Sequence, residues 1–286
     1  MEKNILGIDS NSSKMVGLVL PKNTIENLDS FLTETIKYLS LALECRGYNM
    51  ALFNEENYDL ERFENLYDNK LIGGIIMFSP SLNDAERAAI LGKSRIPSAV
   101  LFSHYDKIDS FTCDNEHGGY MATMFLLEKG RRRIAFIHGS PTWTDSYDRF
   151  LGYKKALAES GAEFRPELVK NAYYDYYTAK VVVQEFMAQG NKPDAIFAAN
   201  DKMAMGAIQG IRQKGLEVPK DVSVVGYDDV KENEYAELPL TTLVQPIKDI
   251  CDNLAERMAS KIEGKIKNEK PVLVALKPKL IVRESA

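Results

Sequence analysis

The chain has 286 residues, 45% of them hydrophobic, which is enough for a large core in one or two domains. Its formal net charge of −5 gives no bulk attraction for nucleic acid, so any DNA contact must come from a local patch or another segment. Cys45, Cys113 and Cys251 are far apart with no CxxC pair, and His104, His117 and His138 have no metal-ligand spacing; this argues against a disulfide framework and a zinc site.

The first strand signal is Val16–Leu20. A helical pattern follows, with Leu28, Phe31, Leu32, Ile36, Leu39 and Leu43 stepping by three and four, and Arg46-Gly47 closes it. Further strands are predicted at Tyr48–Phe53, Ile72–Phe78 and Ser98–Phe102. Asp114 reads as the N-cap of a helix that ends at Lys129-Gly130. Arg133–Ile137, Ala195–Ala198 and Val222–Tyr227 are the remaining strand candidates. A helix from about Lys202 stops at Lys214-Gly215, and a last one, holding Ile247, Ile250, Leu254, Met258 and Ile262, stops near Gly264. The strands are almost continuously apolar, as strands covered on both faces are, and repeated βα units imply doubly wound parallel sheets. Two sheets are expected, divided near Cys113-Asp114 and joined by short crossing segments. No apolar run reaches the length of a membrane span and Met1–Asn4 opens no apolar leader, so a cytoplasmic protein without membrane contact is expected.

Catalytic signatures are missing: there is no GxGxxG, no GxxxxGK[ST], no GxSxG and no HExxH. The expectation is a protein that is not an enzyme and carries no cofactor and no metal. Polar residues do gather where strands end, which is where open α/β sheets bind ligands. Asn200-Asp201 follow one strand and Asp228-Asp229 another. His138–Pro141 and Trp143 follow a third, with Arg149 on the helix beyond; Ser79 and Ser103 follow two more. Asn200, Asp201 and Asp228 serve equally well as helix caps, and Trp143, as an isolated aromatic, reads more readily as packing. Tyr173, Tyr174, Tyr176 and Tyr177 cluster before a helix, where one or two could stack on a ligand ring.

Several ordered motifs carry a resemblance. They are Val16–Pro21, Gly73–Ile76, Cys113–Gly119, Arg132–Ile137, Arg149–Tyr153, Ala198–Gly206, Val218–Asp229 and Pro239–Pro246. Together they resemble the ligand-binding core of the lactose-repressor (LacI/GalR) transcriptional regulators, similar in fold to type I periplasmic sugar-binding proteins. The resemblance runs from about Lys14 to Glu284. It implies two lobes, 14–113 plus 247–274 and 114–246 plus 275–286, with residues 1–13 as a linker remnant. Crossings are implied near Cys113-Asp114, near Gln245–Ile247 and between Pro271 and Lys277. It also implies a homodimer and a small-molecule effector, a sugar as first guess, bound between the lobes and coupled to lobe angle and DNA binding. The candidate ligand residues are Arg149, Asn200, Asp228, Tyr173, Phe31, Phe102, Ser79, Trp143 and Gln245.

The sequence departs from the family in three places. It carries no helix-turn-helix, so operator DNA would be reached only through a head absent from this chain. The loop Pro21–Ser30 is longer than usual and lacks the usual Asn-Pro. Phe102 stands where sugar-binding members often have an acidic residue. A solute-binding protein for a transporter or sensor kinase is the alternative with the same fold, and a sugar-modifying enzyme using Asp228 or Asp201 is the third reading.

Overall fold

The computed structural model describes residues 13–21, 29–55, 59–79, 84–188, 192–266 and 269–286. Residues 1–12 of the expected linker remnant and 22–28 of the expected long loop lie outside them.

In chain order the elements are β1 (Met15–Pro21), α1 (Ser30–Glu44), β2 (Asn49–Glu55), α2 (Leu60–Asp68), β3 (Gly74–Phe78), α3 (Ala85–Lys93), β4 (Ser98–Leu101) and β5 (Asp109–Cys113). There follow α4 (Asn115–Glu128), β6 (Ile134–His138), α5 (Thr144–Ser160), β7 (Val169–Asn171), α6 (Tyr176–Ala188), β8 (Ala195–Ala198), α7 (Asp201–Arg212), β9 (Ser223–Asp228) and β10 (Thr241–Val244). The chain ends with α8 (Ile247–Ile262), β11 (Leu273–Leu276) and β12 (Lys279–Ile281). It divides into two compact units, one reaching Thr112 and taking back Ile247–Val274, the other comprising Cys113–Pro246 and Ala275–Ala286.

Each unit holds one six-stranded sheet. The first has the order β11-β5-β4-β3-β1-β2, the second β12-β10-β9-β8-β6-β7. Read from β2 and from β7, the two sheets repeat the same doubly wound order. β1 to β5 pair in parallel, as do β6 to β10, and β12 runs antiparallel to β10 at the sheet edge. Helices cover both faces, so Val16–Leu20, Ile134–Ile137 and Ala195–Ala198 are buried along their whole length.

Local chemistry sets the helix ends. Asp29 caps α1 by accepting from the Leu32 amide at 2.8 Å, and Asp114 caps α4 through His117 at 3.0 Å. After α1, Gly47 takes φ +77° while the Tyr48 amide reaches back to the Leu43 carbonyl at 3.0 Å. That 6→1 closure needs a left-handed residue, which glycine provides without steric cost.

Four strands carry no continuous apolar run, β5, β7, β10 and β12, while β11 is apolar but largely exposed and was not foreseen. β5 reads Asp-Ser-Phe-Thr-Cys yet is buried throughout. Its Asp109 accepts from Arg257 Nε at 2.9 Å, Lys261 Nζ at 3.1 Å and the Val272 amide at 2.8 Å. Burial opposes the Asp109 charge, but these donors outweigh it and hold its pKa below the usual carboxylate value. A single carboxylate thus ties β5 to α8 and to the segment entering β11.

Candidate functional site

In a doubly wound sheet the ligand crevice lies beyond the carboxyl ends of the strands where the order reverses. In the second unit that point falls between β6 and β8, with β9 alongside. The helices leaving it are set by close backbone contact. A Cβ on Gly119 would stand 2.1 Å from the Arg149 carbonyl, and one on Gly152 would stand 2.0 Å from the Glu116 carbonyl. Only glycine lets α4 and α5 approach so closely, and this approach fixes Arg149.

Arg149 is almost fully buried. Its Nε donates to Asn115 Oδ1 at 2.9 Å and its Nη1 to the Ala199 carbonyl. The guanidinium lies over the Tyr227 ring, 3.7 Å from the centroid. Nη2 stands 3.9 Å from Asp145 Oδ2 and 3.9 Å from Asp228 Oδ1, too far for a direct hydrogen bond to either. That leaves Nη2 oriented to donate to an oxygen placed among the three groups. Burial works against the Arg149 charge, but the Tyr227 phenol and the two carboxylates outweigh it, and its pKa lies above the ordinary arginine value.

Asp228 Oδ1 accepts from Gln245 Nε2 at 2.7 Å. That bond fixes the amide's orientation, since the carboxylate cannot donate. Gln245 Oε1 is then a buried acceptor without a partner among the described residues. A buried acceptor left unpaired is costly, so it marks a place where a ligand hydroxyl or N–H would be accepted.

A second set lines the start of α5. Trp143 precedes the helix and packs on Tyr174 with ring centroids 5.5 Å apart, and the Tyr174 hydroxyl donates to Asp145 Oδ2 at 3.0 Å. Tyr174 adopts φ +58° and its ring fills the space a Cβ on Gly139 would need. His138 is buried between Phe136 and Phe150, each 4.7 Å from its ring. Ser146 Oγ accepts from the Gly139 amide at 3.0 Å and shares a hydrogen bond with His138 Nδ1, also at 3.0 Å. Burial pulls the histidine's pKa down to about 4. The ring is a neutral support for the loop.

The structure therefore brings Arg149, Asp228, Gln245 and Trp143 into one region. Asn200 adjoins it: its Oδ1 caps α7 through the Met203 amide at 3.0 Å, on the residue after the Ala199 carbonyl that Arg149 binds. Asp201, the first residue of α7, instead accepts from the Val230 amide and Asn233 Nδ2. Tyr173 is 64% exposed at φ +54°, and its neighbour Tyr174 makes the contacts to Trp143 and Asp145. In the first unit, Phe31, Phe78 and Phe102 form an aromatic group at the ends of β3 and β4. The Phe102 centroid lies 4.9 Å from Phe31 and 5.9 Å from Phe78. Ser79 and Phe102 sit at φ +39° and +57°, left-handed conformations that serine and phenylalanine rarely take.

Asn115, Asp145, Tyr227 and Phe78 were not foreseen, and Tyr174 only as one of a cluster of four tyrosines. Asp145 carries a usable signal, since it stands four residues before Arg149 on the same helix. Tyr227 lies within an apolar run and reads simply as core. No group of histidine, cysteine and carboxylate side chains among the described residues could hold a metal ion.

Residues 123–286 match the model of the periplasmic binding protein-like domain. The chain is 29% identical over 279 residues to the HTH-type transcriptional repressor PurR of Vibrio campbellii, covering 96% of this chain and 82% of that protein. Among solved structures, the complex of the transcriptional regulator CelR with cellobiose superposes with a TM-score of 0.87 at 28% identity, over 96% of this chain and 85% of that one. A LacI-family sugar-binding transcriptional regulator from Escherichia coli, complexed with phosphate, gives a TM-score of 0.81 at 26% identity, over 96% and 99%.

Proposed function

We propose, for a chain that belongs to the periplasmic binding protein-like domain family and forms the effector-binding core of a LacI-family transcriptional regulator, that Arg149, Asp228 and Gln245 hold its effector. The observation that carries the assignment is the buried Gln245 Oε1, without a hydrogen-bond partner among the described residues, beside the Asp228–Arg149 pair. One free guanidinium nitrogen and several oxygen acceptors suit a small polar ligand rich in hydroxyl or N–H donors. Trp143 and Tyr174 supply ring faces at the edge of the cluster, and Asn200 and Tyr173 offer further contacts. Phe31 and Phe102 of the first unit are proposed as apolar effector contacts, and Ser79 as a polar one.

A carbohydrate is the first candidate, because the CelR complex contains cellobiose. The chain acts by binding and not by turnover, in the cytoplasm, as a homodimer. Operator DNA would be reached only through a helix-turn-helix, which this chain does not carry. The relatives named above are repressors and regulators, and none of the observations favours a transport role.

The test is a thermal-shift panel of cellobiose, glucose, ribose, guanine and adenosine on this chain and on Arg149→Met. A ligand bound only by the native state raises stability by about 2.7 kcal/mol at one hundred times its dissociation constant. One compound class should raise the melting temperature of the native chain and not of the variant. A compound that stabilises both equally binds elsewhere and refutes the assignment.

A further inference from the structure

Asp228 and Asp229 follow one another at φ +118° and φ +56°. Neither is glycine, and two successive residues in this region are held there only when their surroundings fix them. The surroundings are specific. The Val230 amide donates to Asp201 Oδ2 at 3.0 Å, and Asn233 Nδ2 donates to the same oxygen at 2.8 Å. Asn233 Nδ2 also reaches Asp229 Oδ1 at 3.4 Å. Arg283, from the segment after β12, donates through Nη1 to Asp229 Oδ1 at 2.7 Å and to the Leu240 carbonyl at 2.8 Å. Its amide is anchored on Thr241 Oγ1 at 2.9 Å. Asp201 Oδ1 meets the Thr242 hydroxyl, and Gly226 leaves it room, since a Cβ there would stand 2.2 Å away.

We propose that Asp201 and Arg283 are positioning residues for the effector site. Asp201 grips the backbone just after the strained pair, and Arg283 grips the side chain of its second member. Between them the chain is kept from relaxing to negative φ, and Asp228 Oδ1 stays 2.7 Å from Gln245 Nε2. The inference rests on the reading of Asp228 and Gln245 as effector contacts, but its test needs no effector.

The experiment is nitrogen-15 NMR of the whole chain in Arg283→Met and Asp201→Ala. The Gln245 side-chain amide reports its bond to Asp228, a signature that a general loss of stability does not move. In both variants this resonance should lose its bonded shift, and the Val230 amide should exchange at least about tenfold faster. Asp201→Asn should restore both signals, because its oxygen can accept from Val230 and Asn233 while its NH2 donates to Thr242. Asp229→Gly placed in Arg283→Met should restore the Gln245 signal, since glycine takes positive φ without strain. Folded variants that keep the Gln245 and Val230 signals unchanged overturn the proposal. If Asp201→Ala does not fold, Arg283→Met, whose side chain is partly exposed, decides the matter alone.

Discussion

Replacing Asp201 by asparagine should make the second unit more stable at pH 8, not less. Asp201 has no exposed surface, and its carboxylate faces Thr242, Val230 and Asn233, with no cation in contact among the described residues. Burial pushes its pKa up from 3.8 to about 7, only partly offset by the hydrogen bond from Thr242 and by those from Val230 and Asn233. The geometry suits the protonated acid. Oδ2 accepts two N–H groups, and a proton on Oδ1 would be donated to Thr242. The folded pKa lies above the unfolded one, so this group's contribution is complete below pH 3.8 and is lost as pH rises through about 7. The slope is about 1.4 kcal/mol per pH unit inside that window, to a total of about 4 kcal/mol. Asparagine reproduces the protonated arrangement and does not titrate. Urea denaturation of both proteins at pH 5, 6, 7 and 8 should show the wild type falling relative to the variant as pH rises. By pH 8 the variant should lead by about 2–4 kcal/mol. Parallel stability curves across that range would refute the reasoning.

Two further outcomes follow from the buried charges. Asp109→Asn leaves Arg257 and Lys261 without their shared carboxylate, though Arg257 keeps Glu269 at 2.9 Å, and should cost the first unit about 2–4 kcal/mol in chemical denaturation. Because the folded pKa of Asp109 is depressed, its contribution is present above the unfolded carboxylate range and lost as pH falls through the folded value, so the variant's deficit should shrink in acid. An unchanged unfolding midpoint would contradict the pairing. His138 should keep the NMR signature of a neutral imidazole down to about pH 4, and its contribution to stability should be present above pH 6.5 and fade as pH falls through 4. A ring that titrates near 6.5 would contradict its burial.

Much of the fold was legible because burial and sequence agree. The seven apolar runs all became strands, since a parallel strand covered on both faces must be apolar. β5 and β10 escaped because their polar side chains are satisfied from afar: Asp109 by α8, Thr242 by Asp201. No window of neighbouring residues contains those partners. The same holds at the candidate site. Asn200, Asp228 and Arg149 were legible as polar residues at strand ends or on the helices leaving them. Asn115 was not, because its role is created by the glycine-mediated approach of α4 to α5. Asp201 was read as cap or ligand with no means of choosing, and the structure makes it a buried acceptor beneath the β9 loop. The tyrosine cluster showed the limit most directly. Four tyrosines within five residues gave a location, but only backbone torsions decided that Tyr174 packs on Trp143 while Tyr173 points to solvent.

Trp143 is the only tryptophan in the chain and lies within the candidate site, against Tyr174. The central claim is tested most directly by its fluorescence, titrated with the compound that stabilises the chain in the panel. The account predicts a saturable change in emission, with a midpoint equal to the calorimetric dissociation constant, and no such change in Gln245→Leu. A compound that calorimetry shows binding one to one while Trp143 emission stays constant, or while Gln245→Leu binds it equally well, would contradict it.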